Sequence, residues 1–186
     1  MSSPLRDAAR AVRHAPDRMA HGVRRRRAMA RVALHTPRRL LVVCLGNICR
    51  SPYAERRLRE LLPGREVRSA GLLEAGRACP GLAVSVGRER RIDLGEHRSV
   101  RLSDEWIAWA DLVLVMNRSQ AAEIAARCRA LGVSPLIEWL GDFDPGRPAR
   151  RALRDPFDRD REVFEAVYAR IDVCCRTLAG ALAAAP

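Results

Sequence analysis

A short apolar run, Leu40-Leu41-Val42-Val43, leads directly into Cys44-Leu45-Gly46-Asn47-Ile48-Cys49-Arg50-Ser51-Pro52. The run reads as a buried strand and the end of the stretch as the start of a helix. The loop between them must therefore curl tightly at the carboxyl end of a strand. Gly46 and Asn47 tolerate the left-handed backbone that such a curl needs. Pro52 suits the first turn of a helix, where its missing N–H costs nothing. A loop of this kind can wrap a tetrahedral dianion. Backbone N–H groups point inward, the next helix adds its positive end, and the fork of Arg50 closes the ring. The same positive surroundings suit a thiolate at Cys44, and a thiolate beneath a bound phosphate is a phosphatase nucleophile.

The spacing of Cys44 and Arg50 carries little weight alone. The chain has 6 cysteines, and all 34 of its Lys and Arg residues are arginine, in 186 residues. Random placement gives about one such pair. The weight lies in the context: the apolar run before Cys44, Gly46-Asn47 inside the loop, and Ser51-Pro52 after it. A buried structural cysteine beside a solvated arginine would need none of these.

Beyond the loop the chain alternates strand and helix. Strands are predicted over 39–44, 65–69, 111–116 and 135–140. Helices are predicted over 52–62, 79–91, 102–109, 119–131 and 160–182, with a Pro- and Arg-rich loop over 147–157. Pro63-Gly64 and Gly132 stop two of the helices, and Ser103 offers a cap to a third. This rhythm implies an α/β fold, a single domain whose four-stranded parallel sheet is covered by helices on both faces (Rossmann-like or flavodoxin-like). Ligands in such sheets sit at the carboxyl ends of strands, where Cys44 lies.

The net charge of +12 is unevenly spread. Residues 1–38 hold 10 arginines and 2 aspartates, so the rest of the chain is only mildly basic. The division expected is an Arg-rich, flexible extension over 1–38 and a catalytic domain over 39–186. The extension could be a disordered arm, a frayed basic helix or a surface that touches acidic partners or lipid, but a charge run is more often simply solvated. Nucleic-acid binding is not expected from a charge confined to one arm. No apolar run reaches membrane-spanning length and no secretory signal is visible. Six cysteines outside a small secreted framework point to a reducing cytoplasm. No His/Cys pattern has metal-site spacing, so neither a metal nor another cofactor is expected.

Residues 43–52 resemble the phosphate-binding loop of the low-molecular-weight protein tyrosine phosphatases, bacterial type. The likeness continues in family order through Ser69-Ala70-Gly71, His97-Arg98-Ser99, 110–116, 140–145, Asp155-Pro156-Phe157 and 164–168. It implies a protein-tyrosine phosphatase, a hydrolase working through a phosphocysteine intermediate. By this likeness Cys44 is the nucleophile and Arg50 binds and stabilises the phosphoryl oxygens. Backbone N–H groups from Leu45 through Gly46, Asn47, Ile48 and Cys49 to Arg50 complete the cradle, and Ser51 stabilises the thiolate. The family places its general acid nine residues before the phenylalanine of the last helix. Asp155 stands at that distance from Phe164, whereas Asp144 fits an ordinary turn. Phe157 forms an aromatic wall, and Asn47, Ser69 and His97 support the loop. Cys49 is the neighbour that can form a reversible disulfide with the nucleophile in the family. Cys79, Cys128, Cys174 and Cys175 are read as bystanders.

The segment Leu72-Leu73-Glu74-Ala75-Gly76 lacks the aromatic that many members place on the opposite rim, as in bacterial members linked to exopolysaccharide export. The implied partners are a phosphotyrosine protein and, with it, an autophosphorylating bacterial tyrosine kinase. Two other activities share the loop. Protein-arginine phosphatases typically carry threonine where this chain has Ile48. Thioredoxin-coupled arsenate reductases need a second redox-active cysteine pair, which Cys79 and Cys128 do not form by spacing. A non-enzymatic phosphotyrosine-binding module would lack a nucleophile or an acid, and both are present.

Overall fold

The computed structural model describes residues 15–146 and 148–183. Strands β1 (Arg39–Cys44), β2 (Glu66–Gly71), β3 (Leu112–Val115) and β4 (Leu136–Trp139) form one sheet in the order β2-β1-β3-β4. All three pairings are parallel. Helices α1 (Ala15–His35), α2 (Arg50–Leu61), α3 (Gly81–Glu89), α4 (Asp104–Trp109), α5 (Arg118–Leu131) and α6 (Arg161–Ala183) surround it. Successive β1 side chains point to opposite faces, and both faces are covered. Leu40 and Val42 pack with Tyr53 and Leu58 of α2 and Tyr168 and Ile171 of α6. Leu41 and Val43 pack with Ile107 of α4 and Ile124 of α5. Apart from Arg39, which opens β1, the central strands β1 and β3 are therefore apolar at every position, unlike the alternating pattern of a half-exposed strand.

The chain leaves β1 for β2 on one side and returns to β3 on the other. The reversal of direction opens a crevice at the carboxyl end of β1. Cys44 is the last residue of that strand, so the sheet order itself delivers it to the crevice.

Local chemistry sets the boundaries. The chain enters α2 at Arg50, three residues after Asn47, and Leu62 N–H bonds back to Leu58 O at 2.8 Å where Pro63 ends the helix. The predicted start of α3 at residue 79 moves to Gly81, because Pro80 holds an extended backbone (φ −59°, ψ 151°) before it. Ser103 accepts from Trp106 N–H at 3.3 Å to cap α4. Asn117 caps α5 in the same way, accepting from Gln120 N–H at 3.0 Å, and Gly132 closes that helix at φ 68°. Ser69-Ala70-Gly71 belongs to β2, paired with Val42, Val43 and Cys44, which carries that strand past the predicted end at residue 69.

The expectation of a flexible arm through residue 38 fails for residues 15–35, which form α1. Ala28 and Val32 stand four apart on one face and are wholly buried in the core. His21 Nε2 donates to the carbonyl of Asp144 at 2.8 Å. Arg31 grips the buried carboxylate of Glu138 with two bonds, 2.5 and 2.9 Å. Arg24 pairs with Asp142 at 3.6 Å. Arginines that look like a solvated run are anchors to acidic groups around the end of β4. The portion of the expected arm over 1–14 lies outside the described residues.

Candidate active site

The loop from Leu45 to Cys49 folds over the end of β1 and is closed by the first turn of α2. Asn47 takes the left-handed conformation at φ 51°. Gly46 does not, so the expected role of Gly46 as a left-handed residue is corrected. The glycine the curl requires is Gly71: a Cβ there would meet Asn47 N and the carbonyl carbon of Gly46 at 2.9 Å. The end of β2 thus lies flat against the loop, and only a residue without a side chain allows it.

Cys44 Sγ accepts from Asn47 N–H at 3.2 Å and lies 3.0 Å from Ser51 Oγ. It is 2% exposed, at the base of a cavity of about 200 Å³. Leu45, Gly46, Ile48 and Cys49 line this cavity together with Arg50. Arg50 is almost fully buried; its Nη1 donates to Leu153 O at 3.2 Å and its Nη2 forms an ion pair with the carboxylate of Asp155. The Arg50 Nε–H is buried without a protein acceptor. A buried donor left over in this way is suited to an oxygen of a bound anion.

Asp155 stands at the cavity mouth, half exposed, and accepts from Phe157 N–H at 3.2 Å. Phe157 and Leu73 form the rim. Asp144 is elsewhere: its carboxylate accepts from Arg170 at 2.8 Å and from Gly146 N–H at 2.9 Å. The structure therefore brings Asp155, and not Asp144, to Cys44 and Arg50.

Asn47 is the hub behind the cavity. Its Nδ2 donates to Ser51 Oγ at 2.9 Å and to Ser69 Oγ at 2.8 Å. Its Oδ1 accepts from Val100 N–H at 2.8 Å. His97 Nε2 lies 2.9 Å from Asn47 O and 3.2 Å from Asn47 Oδ1. Both partners are acceptors, so Nε2 carries the proton. Burial holds His97 below the ordinary imidazole range, against the opposite pull of its bond to Asn47 and of the Glu55 carboxylate. The neutral ring is thus the form that burial favours.

Other supports carry no local signature in the sequence. Glu55 accepts from Ser69 Oγ. Tyr168 OH donates to Cys49 O at 3.2 Å, and its ring stacks on Tyr53 with centroids 3.9 Å apart. Tyr53 OH in turn donates to Asp172 at 2.9 Å. These groups hold the loop from behind, and the chain separation of 119 residues between Tyr168 and Cys49 leaves nothing for spacing to detect.

All six cysteines are free thiols. Burial raises Cys49 far above the ordinary thiol range. It pushes Cys79 up to about 11 and Cys174 up to about 12. Among the described residues no group of three His, Cys, Asp or Glu side chains could hold a metal ion, and no helix is long and apolar enough to cross a membrane. A wider cavity of about 980 Å³ opens between α1, the start of α5 and residues 150–152. It is lined by arginines and holds no cysteine.

The match to known proteins covers the domain that carries this site. A family model described as low molecular weight phosphotyrosine protein phosphatase matches residues 39–185. The chain is 35% identical to the low molecular weight protein-tyrosine-phosphatase Wzb of Salmonella typhi, over 77% of this chain and 93% of that protein. The crystal structure of the Erwinia amylovora tyrosine phosphatase AmsI superposes with a TM-score of 0.68 at 31% identity, covering 78% of this chain and 93% of that one. The YwlE arginine phosphatase from Geobacillus stearothermophilus superposes with a TM-score of 0.67 at 34% identity, covering 77% and 92%. Helix α1 lies before the matched residues and is an addition to them. From β1 to the end of α6, the chain belongs to the low molecular weight phosphotyrosine protein phosphatase family.

Proposed function

We propose that the protein hydrolyses phosphotyrosine on protein substrates through a phosphocysteine at Cys44. The observation that carries the reading is the convergence on one cavity of Cys44, Arg50 and Asp155. A nucleophile, an anion fork and a carboxyl group are what an aryl phosphate needs, in that order of depth.

In the first step Cys44 Sγ attacks phosphorus as the bond to the aryl oxygen breaks. Arg50 and the loop N–H groups hold the equatorial oxygens and stabilise the charge that develops. Asp155 gives its proton to the departing phenolate. Water then attacks the phosphocysteine, Asp155 takes the proton from that water, and the P–S bond breaks to release phosphate. Asn47 N–H and Ser51 Oγ stabilise the sulfur as it leaves. The incoming dianion displaces the Asp155 carboxylate from Arg50; freed from the cation, the carboxylate takes up a proton from solvent and becomes the acid that serves the leaving group.

Ile48, which is 5% exposed, gives the cavity an apolar side wall suited to an aromatic ring. Depth works in the same direction, because the thiol at the base is best reached by a long aryl phosphate. The substrate class fits a bacterial protein-tyrosine kinase as the partner that makes the phosphotyrosine. Six free thiols suit a cytoplasmic setting. The test is steady-state hydrolysis of phosphotyrosine, phosphoarginine and phosphoserine peptides with reductant and without metal. Selective turnover of phosphotyrosine is the expected result. Preferred turnover of phosphoarginine overturns the substrate assignment.

A further inference from the structure

We infer that the protein selects phosphotyrosine segments carrying acidic side chains beside the phosphotyrosine, and that Arg77 and Arg101 read them. The inference rests on the phosphotyrosine reading above and names the substrate class within it.

The cavity over Cys44 shares a wall, Leu73 and Arg77, with a second hollow of about 410 Å³. Leu72, Glu74 and Arg101 complete that hollow. A segment whose phosphotyrosine ring fills the first cavity must lay its flanking residues along the mouth, where the second hollow begins. Extended chain advances about 3.3–3.6 Å per residue. Side chains within two or three positions of the phosphotyrosine therefore come within reach of the shared wall.

The cations there are uncommitted. The Arg77 guanidinium faces the Phe157 ring at 5.8 Å from its centroid. Among the described residues neither it nor that of Arg101 has a carboxylate or carbonyl partner. Arg39, Arg57, Arg127 and Arg151, by contrast, each hold a carboxylate. Glu74 is the one carboxylate of the hollow, so two cations face one anion there.

Both arginines are carried on pinned backbone. Arg77 N–H donates to Ser99 Oγ at 2.9 Å, and Arg77 O accepts from Ser99 N–H at 2.8 Å. Arg101 bridges Gly71, with Gly71 N–H on Val100 O and Leu102 N–H on Gly71 O, each 2.8 Å. Gly71 is also the residue against which the phosphate loop packs. The backbone that carries the two cations is thus fixed relative to Cys44, which confines the positions their guanidinium groups can reach and favours discrimination between sequences. Exposed charge pairs are individually weak, so the preference expected is several-fold and sensitive to salt.

The test uses the full chain and three peptides with the same phosphotyrosine core, flanked by aspartate, alanine or lysine. The wild type is expected to show kcat/KM several-fold higher for the aspartate peptide than for the alanine peptide, mostly through KM. The gap should shrink between about 50 and about 500 mM salt. Arg101→Glu is expected to move the ranking toward the lysine peptide. Arg77→Ala should narrow the gap between aspartate and lysine. Equal kcat/KM for all three peptides in the wild type overturns the inference, as does an unaltered ranking in Arg101→Glu. Absence of turnover on every peptide instead overturns the phosphotyrosine reading. Anisotropy with Cys44→Ser still ranks the three peptides by affinity in that case, and equal affinities reject the acidic preference.

Discussion

Arg50 and Asp155 form an ion pair across the mouth of the Cys44 cavity, so the cation suited to a substrate dianion is held by the carboxyl group suited to its leaving group. Removing the carboxylate should affect the two tasks in opposite directions. Asp155→Ala is expected to slow aryl phosphates with poor leaving groups by about 10²–10⁴-fold, and activated ones far less. The same variant should bind inorganic phosphate several-fold more tightly, because Arg50 loses its competitor. Rates across a series of substituted phenyl phosphates, with phosphate as inhibitor, measure both. If Asp144→Ala shows the leaving-group dependence instead, the acid is misassigned.

Gly71 is where the strand and the phosphate loop meet. Gly71→Ala would push a methyl group to 2.9 Å from backbone atoms of Gly46 and Asn47, neither of which can swing away. Overpacking of this kind costs about 1–3 kcal/mol. The displaced loop should also lose most of its turnover. Urea denaturation and kcat on p-nitrophenyl phosphate check the two parts. A variant with unaltered kcat shows that the loop does not depend on this contact.

The network around Asn47 makes folding depend on pH through His97. Burial lowers the imidazole below its ordinary value, so the unfolded chain takes up the proton first as pH falls. The contribution is fully present above about pH 6.5, the unfolded value, and is lost as pH falls from there through the lower folded value. His97→Gln keeps a donor for Asn47 but cannot titrate. Its stability should fall less than that of the wild type between about pH 7.5 and about pH 5.5. Equal slopes for the two proteins in urea melts contradict this account.

Helix α1 should contribute to stability without touching the chemistry. Arg31→Ala leaves the carboxylate of Glu138, 1% exposed, without its partner. The expected loss is about 1–3 kcal/mol, toward the lower end because the Arg31 side chain is half exposed. Turnover of an activated aryl phosphate should stay close to that of the wild type. An unchanged denaturation midpoint would falsify the docking of α1 as described.

The legible parts of this chain are those with a continuous local pattern. The β1 boundaries, 39–44, can be read directly because a strand buried on both faces shows no polar interruption. Asn47 can be read as a left-handed residue because few side chains accept that backbone. Asp155 required the family spacing; an Asp-Pro pair alone describes Asp144 equally well. Helix α1 was hidden because its buried face is Ala28 and Val32 set among arginines, and because its anchors Glu138 and Asp144 lie 107 and 123 residues away. The close approach of Gly71, the reach of Tyr168 to Cys49 and the placing of Arg77 on the rim are likewise products of packing between distant segments. No window of sequence contains both halves of any of these contacts.

The central claim is that phosphate passes through Cys44. Acid quenching during turnover of a phosphotyrosine peptide, followed by mass spectrometry of the digested protein, tests it directly. The expected result is a phosphate adduct on the peptide bearing Cys44 in the wild type. Cys44→Ser should have no turnover while still binding phosphate. An adduct on another residue, or turnover retained in Cys44→Ser, contradicts the account.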